Sequence, residues 1–158
     1  MTLILIIMKV LFGCDHAGVE KKQDVFEVLE NLHCEYEDMG VYTKEKNDMY
    51  PRIAKDVCCR YLKDETIDFA ILMCGSGTGM SIAANRLNGI RAVLCYDEYS
   101  SKMAKIDNNA NVLCLRAREF NSELYYPIIK NFLETHFSEE ERHKKRVEQL
   151  DIVNNEEF

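Results

Sequence analysis

The chain has no tryptophan, only two prolines in 158 residues, and neither a low-complexity tract nor an internal repeat. Basic charge is in deficit, with 20 Lys and Arg against 27 Asp and Glu and a net charge of −7. That balance opposes bulk attraction to nucleic acid or to an anionic membrane, so any phosphate site must be local. The one basic cluster, Arg142-His143-Lys144-Lys145-Arg146, carries no aromatic on which a base could stack. The apolar run at residues 1–8 falls far short of the roughly 20 residues of a membrane span. It also lacks the basic n-region and small-residue cleavage site of a signal peptide, and reads as an N-terminal extension of the first strand. The seven cysteines include no Cys-x-x-Cys pair, and no Cys/His set has zinc-ligand spacing. An odd count, with Cys74, Cys95 and Cys114 in apolar runs, reads as reduced thiols in a cytoplasmic protein without a metal.

What is present is a globular composition, 47% hydrophobic and 30% charged, at a length that suits one domain over residues 1–158. Residues 3–12, 35–38, 69–73, 92–95 and 112–115 read as strands. The third and fifth are apolar without alternation, which marks strands buried on both faces of a parallel sheet. Val25, Val28, Leu29 and Leu32 form one helical stripe; Ile53, Val57, Tyr61 and Leu62 form another. Strands alternating with helices predict an α/β fold, a single-domain Rossmann-like three-layer sandwich around a five-stranded parallel sheet. Ligands in such sheets sit beyond the carboxyl ends of the strands, where Asp15, His16, residues 74–79 and Arg118 fall. Residues 124–137 read as a helix. Ser138, with Glu141 three residues on, reads as the capping box of a final helix reaching Val153. Residues 138–153 are too charged for a core. They are expected to protrude, either lying on the surface or meeting a partner subunit.

Cys74-Gly75-Ser76-Gly77-Thr78-Gly79 joins the third strand to a helical pattern. It is not a Walker A loop, because no Gly-Lys-Ser/Thr follows, and its Gly-x-Gly-x-Gly spacing is not the dinucleotide fingerprint. Strand, glycine turn and helix start together aim backbone N–H groups and a helix dipole at one spot, which suits an anion. As a bare pattern, a tight turn without a ligand fits equally well. A helix N-terminus favours the thiolate of a cysteine beside it, whereas a core cysteine is inert. Asp15-His16 fits an N-cap with a polar neighbour or a pair of ligands. Tyr50-Pro51 marks a helix start whose ring either lines a pocket or packs. Arg142 and Arg146 share a helical face, as a fork for a phosphate dianion or as a solvated surface.

Five motifs occur in one order: Gly13-Cys14-Asp15-His16-Ala17-Gly18; Tyr50-Pro51; Cys74 through Gly89-Ile90-Arg91-Ala92-Val93; Asn109-Ala110-Asn111-Val112-Leu113; and Arg142-His143-Lys144-Lys145-Arg146. In that register, from about Lys9 to about Leu150, the chain resembles the type B ribose-5-phosphate isomerases. The resemblance implies a cofactor-independent aldose–ketose isomerase acting on a phosphorylated sugar. It makes Cys74 the base that moves a proton between C1 and C2. It places Ser76 with Gly75, Gly77, Thr78 and Gly79 at the enediolate oxygen, where preset donors stabilise charge that grows in the transition state. It assigns Asp15, His16, Tyr50 and Asn108 to the substrate, and Arg118, Arg142 and Arg146 to its phosphate. It also implies homodimers or tetramers with shared active sites, the last helix serving a neighbour.

One position departs from the pattern. Asp107-Asn108 stands where the resembling family has His-Asn, the histidine being credited with opening the sugar ring. An ordinary carboxyl is ionised at neutral pH and has no proton to give. Asp107 would then act as a base on the ring hydroxyl, as an acid if burial raises its pKa, or leave the task to His16. Two alternatives to a pentose phosphate isomerase follow. One is a hexose-6-phosphate isomerase, like the related galactose-6-phosphate isomerase subunits; the other is a non-catalytic sugar-phosphate-binding subunit.

Overall fold

The computed structural model describes residues 7–41 and 49–153. Five strands form one sheet: β1 (Lys9–Cys14), β2 (Glu35–Asp38), β3 (Phe69–Cys74), β4 (Ala92–Leu94) and β5 (Val112–Arg116). Their order is β2-β1-β3-β5-β4, and every pairing is parallel. The helices are α1 (Lys22–Asn31), α2 (Tyr50–Lys63), α3 (Thr78–Ala84), α4 (Glu98–Asn108), α5 (Tyr125–Glu134) and α6 (Glu141–Ile152).

Alternate residues of the inner strands enter opposite layers. Val10, Phe12, Ile71, Met73, Leu113 and Leu115 pack with α1, α4 and α5. Leu11, Ala70, Leu72, Cys74, Val112 and Cys114 pack with α2 and α3. Each large apolar side chain buried this way contributes roughly 1.5–3 kcal/mol. Both faces being covered explains the unbroken apolar runs, and the result is the expected three-layer α/β sandwich. The approach of α2 to β1 is tight enough that a Cβ on Gly13 would lie 2.6 Å from Val57 Cγ2.

Topology also fixes where a ligand could sit. From β1 the chain moves outward to β2, then returns to place β3 on the other side of β1. The crevice opened by that reversal lies at the carboxyl ends of β1 and β3. Asp15 and Cys74 flank it, because Cys14 is registered with Met73 and the Asp15 N–H donates to the Met73 carbonyl.

Beyond shifts of one or two residues at element ends, the local structure differs from the sequence reading at four places. β1 begins at Lys9 rather than residue 3; residues 1–6 lie outside the described residues, and Ile7 and Met8 precede the strand. Its neighbours β2 and β3 begin opposite Lys9 and Val10, so the strand starts where its pairing starts. Asp15 does not cap α1, whose N-cap is Lys21; turns intervene, and Asp15 Oδ1 instead accepts the Ala17 N–H at 2.9 Å. The fifth helix is shorter than residues 124–137, giving way to an extended Thr135. Ser138 does not form a capping box either. Glu139 takes a left-handed φ of 56°, the N-cap of α6 becomes Glu140, and Ser138 Oγ is left free to meet His143.

The last helix lies along α4, burying His143 and Val147 and leaving its other faces exposed. The Arg91 guanidinium ties its far end through Asp151 at 2.8 Å. No helix among the described residues is long and apolar enough to cross a membrane.

Candidate active site

Cys74 ends β3 with its side chain only 5% exposed. Its Sγ accepts the Gly77 N–H at 3.1 Å. The other sulfurs with a backbone contact act in the opposite sense: Cys14, Cys34 and Cys95 turn their S–H groups toward the carbonyls of Val41, Leu32 and Val93. Burial pushes the thiols of Cys14, Cys58 and Cys95 up to about 12, and raises that of Cys114 as well. Those four remain protonated packing residues at neutral pH. Cys74 alone among the described cysteines has a backbone N–H donating to its sulfur.

The turn after Cys74 is built to hold that contact. Gly77 has φ +77°, and a Cβ there would stand 2.4 Å from Leu94 Cδ1 and 3.0 Å from the Leu115 carbonyl oxygen. Ser76 Oγ accepts the Thr78 N–H at 3.3 Å as α3 begins. The first N–H groups of that helix have no intrahelical partner, and that of Thr78 is met by Ser76 Oγ. Two side chains close over the loop. The Arg118 guanidinium covers Gly75, with Nη1 3.0 Å from where a Cβ would be, and the Tyr50 ring edge lies 2.7 Å from the same point on Gly79.

Arg118 reaches this position through its backbone, its N–H donating to the Gly75 carbonyl at 3.0 Å. The bend behind it is held by Arg116, a residue that the sequence reading missed. Arg116 Nε donates to the Arg118 carbonyl at 2.7 Å, and its Nη2 donates to the Glu119 carbonyl. Tyr96 and Phe120 flank the guanidinium, and Tyr125 Oη donates to the Arg116 carbonyl at 2.8 Å. On the other side of the crevice Asp15 is buried, with Oδ2 4.0 Å from His16 Nδ1. Cys74, Gly75, Ser76, Gly77, Thr78, Gly79, Asp15, His16, Tyr50 and Arg118 are thus gathered at one end of the sheet.

Asp107, Asn108, Arg142 and Arg146 are not gathered there. The fourth helix runs back from the carboxyl end of β4 to the amino end of β5, so Asp107 and Asn108 emerge at the opposite edge. In register, Val112 at the start of β5 faces Ala70, while Cys74 faces Arg116. Four residue steps at about 3.3 Å each separate the two ends by roughly 13 Å. Asn108 instead helps line a cavity of about 340 Å³ together with Arg91, Leu150 and Val153. The N-terminal turn of α6 docks beside Asp107, the Ser138 N–H donating to the Ile106 carbonyl at 3.2 Å. His143 Nε2 lies 3.7 Å from Asp107 Oδ1, and its Nδ1 is 2.7 Å from Ser138 Oγ. Arg142 and Arg146 are exposed on the same helix, with Arg142 Nε bonded to Glu140 at 2.8 Å. His143 was read only as part of a basic run and given no role of its own; Val147 one turn later is the signal that this face is buried.

A family model described as Ribose/Galactose Isomerase matches residues 10–150. Ribose-5-phosphate isomerase B of Escherichia coli (strain K12) is 37% identical over 145 residues, covering 92% of this chain and 95% of that protein. D-erythrulose-4-phosphate isomerase of Pectobacterium atrosepticum is 35% identical over 130 residues, covering 82% and 85%. The crystal structure of a ribose 5-phosphate isomerase from Thermotoga maritima superposes with a TM-score of 0.85 at 43% identity, covering 91% of this chain and 97% of that one.

Proposed function

Since the chain belongs to the ribose/galactose isomerase family, and is therefore a sugar isomerase, we propose that it interconverts ribose 5-phosphate and ribulose 5-phosphate through an enediolate. The observation that carries this reading is the Cys74 sulfur, nearly buried at the end of β3 and fixed by the Gly77 N–H.

A base is needed to take the proton from the carbon beside the carbonyl and return it to the neighbouring carbon. Cys74 does this as its thiolate, with proton gain and loss confined to one sulfur. Negative charge then develops on oxygen, which the turn from Gly75 to the start of α3 meets with its backbone N–H groups, with Ser76 Oγ beside them, while the Gly77 N–H stays on the sulfur. Donors already held in place need no reorganisation as that charge appears. Arg118 and His16 approach the phosphate from this end of the sheet, Tyr50 covers the sugar, and Asp15 orients the loop that presents His16.

The remaining cations belong to a second copy. Arg142 and Arg146 sit on the far edge of their own sheet, as do Asp107 and Asn108, so a site using all of them is assembled from two chains. A homodimer, alone or paired into tetramers, meets this need by two-fold symmetry, each chain lending its α4–α6 corner to the other's crevice. No cofactor enters, since proton transfer within one substrate balances without an oxidant. The setting proposed is the cytoplasm and the pentose phosphate pathway, consistent with seven free cysteines and a phosphorylated substrate.

Substrate length is the point the relatives divide on. One acts by name on a five-carbon phosphate and one on a four-carbon phosphate, at 37% and 35% identity. The test is kcat/KM with ribose 5-phosphate, D-erythrulose 4-phosphate and a six-carbon aldose phosphate. Preference for the pentose by tenfold or more supports the proposal. Preference for either other length reassigns the substrate, and binding of all three without turnover leaves a non-catalytic subunit.

A further inference from the structure

Opening a furanose requires a proton to leave the anomeric oxygen and a proton to arrive on the ring oxygen. The position from which the resembling family supplies a histidine holds Asp107 here, a half-exposed carboxyl in the last turn of α4. That location is unfavourable for an isolated anion, because the negative end of the α4 dipole lies beside it. Two features offset the penalty. The N-terminal turn of α6 brings its positive end to the same corner, and it carries His143, 4% exposed, with Nε2 3.7 Å from Asp107 Oδ1.

The partners of the two ring nitrogens favour one tautomer. Asp107 Oδ1 lies opposite Nε2 and offers an acceptor, while Ser138 Oγ, which accepts the Glu140 N–H at 3.3 Å, has a hydroxyl hydrogen available for His143 Nδ1 at 2.7 Å. A neutral imidazole that accepts at Nδ1 has its hydrogen on Nε2. A charged imidazolium has one there too. In either state an N–H faces the Asp107 carboxylate, which accepts and cannot donate.

We propose that the Ser138–His143–Asp107 corner opens the sugar ring: Asp107 carries the proton from the anomeric hydroxyl to the ring oxygen, and His143 holds its carboxylate in place. The balance is complete without another acid. One carboxylate oxygen takes the proton from O1; the C1–O4 bond breaks as the C1=O1 bond forms; O4 keeps the electron pair and receives that proton from the carboxyl. Asp107 ends as it began. A single carboxylate that takes and returns one proton is therefore sufficient, which removes the difficulty raised by the missing histidine. His143 is a positioning residue in this scheme, since it touches the carboxylate and not the sugar.

This rests on the isomerase reading above, and the experiment separates the two. Ribulose 5-phosphate cannot cyclise through its phosphorylated C5 oxygen, so its consumption needs no ring opening. Rates from each substrate are followed by stopped flow as enzyme concentration is raised. The native chain is expected to give rates proportional to enzyme in both directions. With Asp107→Asn, and with His143→Leu, the ribose 5-phosphate rate is expected to stop rising once spontaneous ring opening limits it, while the ribulose 5-phosphate rate still scales with enzyme. The loss at high enzyme for Asp107→Asn should reach about 100-fold, as for removal of an acid–base group. His143→Gln keeps a donor at the Nε2 position and should restore proportionality. Asp107→Asn is a half-exposed, isosteric change, so that arm does not depend on whether the buried histidine tolerates replacement.

Proportionality in both directions for Asp107→Asn overturns the proton shuttle. A uniform fall in both directions for His143→Leu, still proportional to enzyme, makes His143 a packing residue and overturns its role. A native chain that itself reaches a plateau with ribose 5-phosphate overturns the inference and leaves the isomerase reading standing. Turnover of neither substrate removes both.

Discussion

Gly77 donates its backbone N–H to Cys74 Sγ at 3.1 Å from a left-handed conformation that Leu94 and the Leu115 carbonyl close to any side chain. Sulfur and turn are therefore one unit. The same three residues that reverse the chain also fix the direction of the thiol and deliver α3 behind it. A cysteine that merely filled the core would have no reason to accept from an amide, and the deeply buried Cys14, Cys58, Cys95 and Cys114 are held as thiols.

Replacing Cys74 by Ala removes the proposed base together with the acceptor of the Gly77 N–H, in a side chain of nearly the same backbone demands. The expected result is a fall in kcat of about 10²–10⁴-fold, the range for loss of a general base. Calorimetric titration with ribose 5-phosphate should show binding largely kept, since the phosphate ligands are elsewhere. Turnover at the native rate in this variant would rule out Cys74 as the base.

Gly77→Ala tests whether the turn and the chemistry are joined. A left-handed backbone costs a residue with a Cβ about 1–2 kcal/mol. The added methyl would also stand 3.0 Å from the Leu115 carbonyl oxygen, which is backbone and cannot swing aside. Both the denaturation midpoint and kcat should fall. Gly79→Ala meets only the partly exposed Tyr50 ring, so its effect should be on KM with a smaller change in stability.

The sheet and its layers were legible because hydrophobic burial leaves a periodic trace. The unbroken apolar runs at β3 and β5 could only be strands covered on both faces, and the stripes of α1 and α2 named the layers that cover them. The crevice residues were legible for the same reason: once the strands are placed, Asp15, Cys74 and Arg118 must fall at carboxyl ends. Arg116 was not, because its role is to bond carbonyls two and three residues ahead, a contact that exists only once the chain bends after β5. Ser138 misled because a Ser-x-x-Glu pattern records local options. The left-handed Glu139 turned the chain so that the hydroxyl met His143 instead.

Lys105 gives a pH-dependent stability with a definite sign. It is 6% exposed, its Nζ donates to the Ala110 carbonyl at 2.8 Å, and it lies over the rings of Phe69 and Phe132. Desolvation, followed by the charge of Arg91, lowers its pKa from 10.5 to about 8. Below pH 8 both folded and unfolded chains hold the proton and the folded state bears the full burial penalty. Between pH 8 and 10.5 the unfolded chain binds more protons, so stability rises with pH. At about 1.4 kcal/mol per unit, the Lys105 contribution should improve by on the order of 3 kcal/mol across that window. The raised cysteines act in the opposite direction above their ordinary range, so the comparison must be made against Lys105→Met. The difference in unfolding free energy, native minus variant, should climb from pH 8 to 10.5; a flat difference refutes the assignment.

The two-chain site proposed above makes a quantitative prediction about mixtures. Cys74 and the Arg142/Arg146 pair lie at opposite ends of one sheet, so in that arrangement a chain lacking the thiol would still carry intact arginines for its partner. Take Cys74→Ala and the double variant Arg142→Ala/Arg146→Ala, each inactive alone. In a two-fold dimer, random exchange makes half the dimers mixed, and each mixed dimer has one site with both lesions and one with neither, so about a quarter of native activity should return. Recovery should follow the rate of subunit exchange and be absent when the two proteins are cross-linked beforehand as separate homodimers. If all these residues served a site within one chain, every site in the mixture would remain defective. Mixing would then restore nothing, and the two ends of the sheet would have to be assigned separate tasks.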